Sequence, residues 1–225
     1  MPERSSIFDM VGPIMVGPSS SHTAGVVRIG RAAIRVLGGK PEKAEIVFYN
    51  SFARTYEGHG SDRAIIGGIM DYKTDDSRIK DALDLAKEEG LDYSFKSVGN
   101  ASIYHPNTVK VVLYSDDRKV EVVGESLGGG LINISHVDGF RANFSLNLHT
   151  LILKARDKKG AIAFIASVIA NDEVNIASMS VSRVGKNDLA SHFIEMDNGL
   201  AEVTIEYLKN LNWIEEVIYI PNIDM

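Results

Sequence analysis

Residues 17–39, GPSSSHTAGVVRIGRAAIRVLGG, contain the pattern that organises the first half of the chain. The apolar residues of 26–37 recur at spacings of three and four, which predicts a helix with one buried face. Gly38-Gly39 predicts the end of this helix, because glycine commonly follows the last periodic residue. Three arginines form a second stripe on it, for which we expect solvent or acidic partners rather than substrate: Arg28, Arg31 and Arg35.

The residues directly ahead of this helix are rich in hydroxyl groups and contain one imidazole. Pro18 is followed by three serines, His22 and Thr23. The first N–H groups of a helix have no partner within it and its N-terminus is partly positive, so this segment suits a bound carboxylate or phosphate. His22 can then take a proton from the bound molecule. The alternative, which the local pattern alone favours, is an ordinary N-cap with an exposed histidine.

Three later segments are further candidates for a site. Residues 56–62, YEGHGSD, place glycines on both sides of His59, which allows a ligand to approach the backbone closely. The alternative is a flexible loop before a short helix at 62–70. His-Pro-Asn at 105–107 indicates a turn that enters a strand. The glycines of 128–130 indicate a hairpin turn or, alternatively, a mobile lid.

The order of helix and strand patterns divides the chain into two parts. The first combines helices, one of them at 77–89, with a buried strand at 44–49 and four later strand-like segments. The second follows the order strand, helix, strand, strand, helix, strand, which predicts a ferredoxin-like unit. We therefore expect an α+β protein with an α/β domain at 1–145 and a ferredoxin-like βαββαβ domain at 146–225.

Composition excludes several classes of site and partner. The chain has 225 residues, a formal net charge of −6 and no cysteine, which rules out disulfides, a thiol nucleophile and iron–sulfur ligation by its own thiolates. We expect no metal ligands on this chain. Scattered basic residues argue against nucleic acid, and no run approaches the roughly 20 apolar residues of a membrane helix. The first ten residues lack the apolar core of a signal peptide, so we expect a cytoplasmic protein.

Four motifs and the C-terminal unit, taken in order, resemble a known family. The chain resembles the beta subunits of iron–sulfur-dependent L-serine dehydratases, or L-serine ammonia-lyases, over essentially its whole length. The N-terminal part is also similar to the allosteric substrate-binding domain of some phosphoglycerate dehydrogenases, and the C-terminal part to ACT domains. The motifs that carry the resemblance are PSSSHTAG (18–25), GHGSDRA (58–64), HPNT (105–108) and SLGGGLI (126–132).

The resemblance implies a lyase of amino-acid catabolism and gluconeogenesis, which converts L-serine to pyruvate and ammonia. It assigns a [4Fe–4S] cluster to a separate alpha subunit, so this chain is expected to be inactive alone and to work in a hetero-oligomer. His22 is implied as the base that removes the α-proton. Ser20, Ser21 and Thr23 are implied to hold the carboxylate or amino group, with His59 near the same substrate.

The ACT-like part implies either regulation or assembly. In ACT domains the positions of Asp157, Gly160 and Asn175 often border an effector pocket, commonly formed across paired domains; the alternative is homodimerisation without a ligand. The whole chain has a competing interpretation as a non-catalytic, amino-acid-sensing regulatory protein. A detached dehydrogenase regulatory tail fits less well, because that role does not require the histidine of the SSSHT segment.

Overall fold

The computed structural model describes residues 13–99, 103–116, 118–186 and 188–223. These residues fall into two compact units that divide between Asp138 and Gly139. The sequence analysis placed the boundary at 145/146, one strand later. The strand in between is β6 (Phe140–Phe144), and the ring of its last residue stacks on Phe193 of the second unit at 5.8 Å between centroids.

The first unit builds one sheet and packs helices against it. Its strands run in the order β2-β1-β3-β4-β5, with β1 and β2 parallel and the other neighbours antiparallel. The helix predicted at 77–89 is split into a 3₁₀ turn and a shorter α-helix. In chain order the elements are α1 (Gly25–Leu37), β1 (Lys43–Tyr49), α2 (Asn50–Thr55), α3 (Ser61–Ile69), the 3₁₀ turn (Ser77–Asp81), α4 (Ala82–Glu88), β2 (Asp92–Val98), β3 (Thr108–Ser115), β4 (Arg118–Gly128) and β5 (Leu131–Val137).

Helix α1 is the centre of the first unit, and nearly all of its residues are buried. It begins and ends close to the predicted positions, with Gly38 in a left-handed conformation after its last residue. The prediction that the arginines of this helix meet solvent or acidic partners was wrong for Arg28. Its side chain is buried, with the residue 1% exposed, and Nη1 donates to the carbonyl oxygen of Gly130 at 2.8 Å. Arg31 and Arg35 both pair with the carboxylate of Asp71, as the acidic alternative predicted.

Two glycines allow α1 and α3 to pack with their backbones almost in contact. A Cβ atom on Gly68 would lie 2.1 Å from the carbonyl oxygen of Val27, and one on Gly30 would lie 2.7 Å from the carbonyl oxygen of Ile65. These distances are far below van der Waals contact, so neither position has room for a side chain. This contact holds together the two helices whose N-terminal ends carry the SSSHT and GHGS motifs.

The second unit has the predicted ferredoxin-like order of elements. Its four-stranded sheet has the order β10-β7-β9-β8, and two helices cover one face. Apolar residues of the helices, such as Ile165, Ile169 and Leu208, form one core with Leu153 and Ile194 of the strands. After β6 the elements are β7 (His149–Arg156), α5 (Ala161–Asn171), β8 (Ile176–Arg183), β9 (Leu189–Met196), α6 (Glu202–Lys209) and β10 (Ile214–Ile220).

Both units therefore agree with the expected α+β class. Among the described residues, the helices are all too short or too polar to cross a lipid bilayer.

Candidate active site

The hydroxyl-rich segment forms a turn of π-helix, Ser20–Ala24, that leads directly into α1. Ser19 caps this turn. Its Oγ accepts from the backbone N–H of His22 at 3.3 Å, and its carbonyl oxygen accepts from the backbone N–H of Thr23 at 2.8 Å. Single π-helical turns are uncommon and often mark functional sites. The cap therefore fixes the backbone of His22 at the start of the central helix.

The glycine-flanked segment reaches the same place from the turn before α3. Gly60 has φ +70°, a left-handed conformation that favours glycine, immediately before the helix. Ser61 is fully buried, and its Oγ donates to the carbonyl oxygen of His22 at 2.8 Å. The ring centroids of His22 and His59 lie 4.7 Å apart. The fold thus brings together the two motifs that the sequence singled out.

Both ring nitrogens of His22 have hydroxyl neighbours. Nε2 lies 3.0 Å from Oγ1 of Thr55, whereas Nδ1 lies 3.1 Å from Oγ of Ser21 and 3.3 Å from Oγ of Ser19. The buried ring of Phe52 stands edge-on to the imidazole at 5.0 Å between centroids. The imidazole is therefore held on several sides and is not the freely exposed histidine of the alternative interpretation.

This environment favours the neutral form of the His22 imidazole. Burial lowers the pKa of His22 below the ordinary value for histidine, and the positive charge that His59 can carry lowers it further. A neutral imidazole has a lone pair that can accept a proton, so His22 is available as a base at neutral pH.

Replacing His59 with glutamine is expected to raise the pKa of His22, because it removes the like charge beside it. The pKa should stay below the ordinary value, since burial is the larger cause. NMR titration of the His22 ring signals measures this, with His136→Gln as the control for loss of a histidine elsewhere in the first unit. A pKa of His22 that is unchanged or lower in the His59 variant would show that the charge of His59 does not lower the pKa of His22.

The remaining hydroxyls of the segment differ in what they contact. Ser20 Oγ accepts from the backbone N–H of Gly129 at 3.2 Å, which ties the triple-glycine turn to this site. Thr23 is 2% exposed, and its Oγ1 has no hydrogen-bond partner among the described residues. A buried hydroxyl without a partner is unfavourable, so a ligand that supplies one is stabilised there.

A cavity of about 260 Å³ adjoins this cluster, and Thr23 and His59 contribute to its wall. Arg63 and Lys80 bring positive charge to the same wall, and Glu57 brings one negative charge. A wall with both signs of charge complements a zwitterion, in which a carboxylate and an ammonium group lie a few ångströms apart.

Within this chain, the residues predicted to border an effector pocket do not lie close together. Asp157 and Gly160 follow β7, whereas Asn175 precedes β8, and the strand register puts these positions at opposite ends of the sheet. Asp157 accepts from Arg183 Nη1 at 3.0 Å, and Asn175 Nδ2 donates to Asp197 at 2.8 Å. An effector site at these residues stays a prediction.

Sequence reasoning missed several residues of the site. Ser19 and Ser61 were not singled out as site residues, and Thr55 gave no signal because the sequence shows it only as one threonine of a polar segment. Arg63 and Lys80 gave none because isolated surface cations are common. Within the described ranges, no group of three or more metal-ligating side chains is placed to hold an ion.

Known proteins resemble this chain over most of its length. The family model described as "Serine dehydratase beta chain" matches residues 6–136. A probable L-serine dehydratase beta chain of Bacillus subtilis is 42% identical over 217 residues, covering 96% of this chain and 98% of the relative. The L-serine dehydratase beta chain of Peptoniphilus asaccharolyticus is 37% identical over 198 residues, covering 88% and 89% respectively. A D-3-phosphoglycerate dehydrogenase of Methanocaldococcus jannaschii is 23% identical over 85% of this chain but only 36% of its own length. The chain therefore belongs to the serine dehydratase beta chain family.

Proposed function

We propose that this chain is the beta subunit of an L-serine ammonia-lyase and that His22 is the base that removes the α-proton of the substrate. The observation that carries the proposal is the half-buried imidazole of His22, which is held among hydroxyls and lies 4.7 Å between ring centroids from His59. His59 lines a cavity whose wall carries both signs of charge. The names of the relatives supply the substrate, L-serine. The contacts of His22 support its choice as the group that acts on this substrate.

The cavity lined by Thr23 and His59 carries charges that match those of an amino acid. We place the substrate carboxylate near Arg63 and Lys80 and the ammonium group near Glu57, because each then meets a charge of the opposite sign. The unpartnered hydroxyl of Thr23 gains a partner in the same step. Ser20 accepts from a backbone N–H and Ser21 lies against the imidazole of His22, and neither serine is among the residues that line the cavity.

The chain itself does not fit an iron–sulfur cluster, since it contains no cysteine and its described residues gather no metal-ligating cluster. We propose that a [4Fe–4S] cluster is ligated by a separate alpha subunit. When bound there, it supplies a Lewis acid that favours departure of the β-hydroxyl. The residues of this chain hold the substrate and move its α-proton. Loss of water and hydrolysis of the resulting enamine give pyruvate and ammonia.

Reconstitution tests whether the reaction needs both this chain and a separate alpha subunit that holds the cluster. The purified chain is expected to release no ammonia from L-serine, because it has no cysteine with which to hold the cluster that would assist departure of the hydroxyl. Addition of the alpha subunit with an intact cluster, under anaerobic conditions, should produce pyruvate and ammonia in equal amounts. The alpha subunit alone is the control. Deamination by this chain alone, or an inactive complex with a fully loaded cluster, would contradict the proposal.

A further inference from the structure

The hydroxyl of Thr55 settles which nitrogen of His22 carries the proton. Thr55 Oγ1 lies 2.9 Å from the carbonyl oxygen of Ser51, one turn earlier in α2, and 3.0 Å from Nε2 of His22. A hydroxyl has one hydrogen, and a carbonyl oxygen can only accept. Both contacts are satisfied together only if Thr55 donates to Ser51 and accepts from Nε2–H.

The other ring nitrogen must then carry the lone pair. A neutral imidazole has a single N–H group, so protonated Nε2 leaves Nδ1 as the acceptor. Nδ1 faces the hydroxyls of Ser19 and Ser21, which lie 3.2 Å from each other and can each donate to it. The lone pair of His22 therefore points toward the hydroxyl-rich motif, and the N–H group points toward α2.

We propose that Nδ1 of His22 is the atom that takes the α-proton, and that Thr55 is a positioning residue that keeps Nε2 protonated. The inference rests on the proposed function for the reaction, although the tautomer is a property of this chain alone. In the step, the Cα–H bond breaks and an Nδ1–H bond forms. The electron pair left on Cα forms the Cα=Cβ bond as the β-hydroxyl departs.

Thr55 also favours the charged product of this step. The imidazolium that forms donates from Nε2 to Thr55 and from Nδ1 to the oxygen of Ser21 or Ser19. Hydrogen bonds from a charged donor are stronger than neutral ones, so each acceptor stabilises the protonated base. The arrangement resembles the base and orienting-group pairs of other enzymes in its logic, with a hydroxyl and a carbonyl in place of a carboxylate.

Two variants of Thr55 separate this role from simple packing. Thr55→Val keeps the shape but removes the acceptor, whereas Thr55→Ser keeps the hydroxyl. In ¹⁵N NMR spectra of the histidine-labelled full chain, His22 should be protonated on Nε2 in the wild type and in Thr55→Ser. In Thr55→Val the signal should move toward the Nδ1–H form. Thr150→Val, which removes a buried hydroxyl bonded to a carbonyl in the second unit, is the matched control and should leave the tautomer unchanged.

The reconstituted enzyme gives the second measurement. Thr55→Val should lower kcat by about tenfold or more with KM nearly unchanged, because the wrong tautomer reduces general-base catalysis without altering substrate contacts. Thr55→Ser should recover most of the loss. An Nδ1–H tautomer in the wild type, or a full kcat in Thr55→Val, would overturn the proposal. If His22→Gln retains turnover while the wild-type tautomer is as stated, the proposed function fails and the tautomer assignment stands.

Discussion

Replacing His22 with glutamine is expected to reduce kcat of the reconstituted enzyme by about a hundred- to ten-thousand-fold, the range over which a general base contributes. Glutamine has a comparable reach and can still donate and accept hydrogen bonds, but it cannot take up a proton. The contacts with Thr55 on one side and Ser21 on the other can therefore be partly retained. The loss should appear in kcat rather than in KM.

Two controls give the His22→Gln result its meaning. His136→Gln removes a half-buried histidine of the same unit whose Nδ1 lies 3.3 Å from Ser135 Oγ, and it should keep full activity. Association with the alpha subunit, measured by gel filtration, should be the same for both variants and the wild type. A His22→Gln complex that turns over at the normal rate would remove this residue from the mechanism.

The sequence singled out His22, the residue that we propose as the base, but not Thr55, the residue that we propose orients it. His22 stands out because hydroxyls and a helix surround it within a few residues, which is local information. Thr55 lies 33 positions later, and its side chain looks like any threonine in a short helix. Only the packing of α2 beside the π-helical turn shows its contact with His22, since a contact between distant segments leaves no trace in the local pattern.

The arginine stripe on α1 shows why periodicity alone mispredicts a central helix. The apolar spacing reports the face packed on the sheet, and the opposite face is then expected to meet solvent. In this fold the turn between β4 and β5 reaches that second face, and Arg28 is buried and donates to the carbonyl oxygen of Gly130. The burial lowers the pKa of Arg28 to about 10, because a charged guanidinium loses its hydration there.

The helix predicted at 77–89 illustrates a different limit. Its composition favours helix throughout, yet the α-helix begins only at Ala82 after a 3₁₀ turn. Asp76 caps that turn: its Oδ1 accepts from the backbone N–H of Arg78 at 2.9 Å, and its carboxylate also pairs with the guanidinium of Arg78. One helix-favouring segment thus forms two successive helical elements, which composition does not distinguish.

Substitution of Gly68 with alanine is expected to cause the largest loss of stability among small changes in the first unit. The added Cβ would lie 2.1 Å from the carbonyl oxygen of Val27, and 3.1 Å from Cα of Gly30 on the same helix. Both neighbours are backbone atoms, so no side-chain rotation can relieve the overlap, and α1 and α3 must move apart. Overpacking of this kind costs about 1–3 kcal/mol or more.

The adjacent glycine supplies a control in which helix propensity changes by the same amount. A Cβ on Gly67 would meet mainly the side chain of Ile79, at 3.1 Å, which can shift by a few tenths of an ångström. Alanine favours the helix over glycine by about 0.5–1 kcal/mol at either position, so Gly67→Ala should stay within about 1 kcal/mol of the wild type. Urea unfolding followed by circular dichroism measures both variants. Equal stability of Gly68→Ala and Gly67→Ala would show that α1 and α3 do not pack with their backbones in contact. The explanation of how Ser61 is held against His22 would then fail too, because it depends on the packing of these two helices.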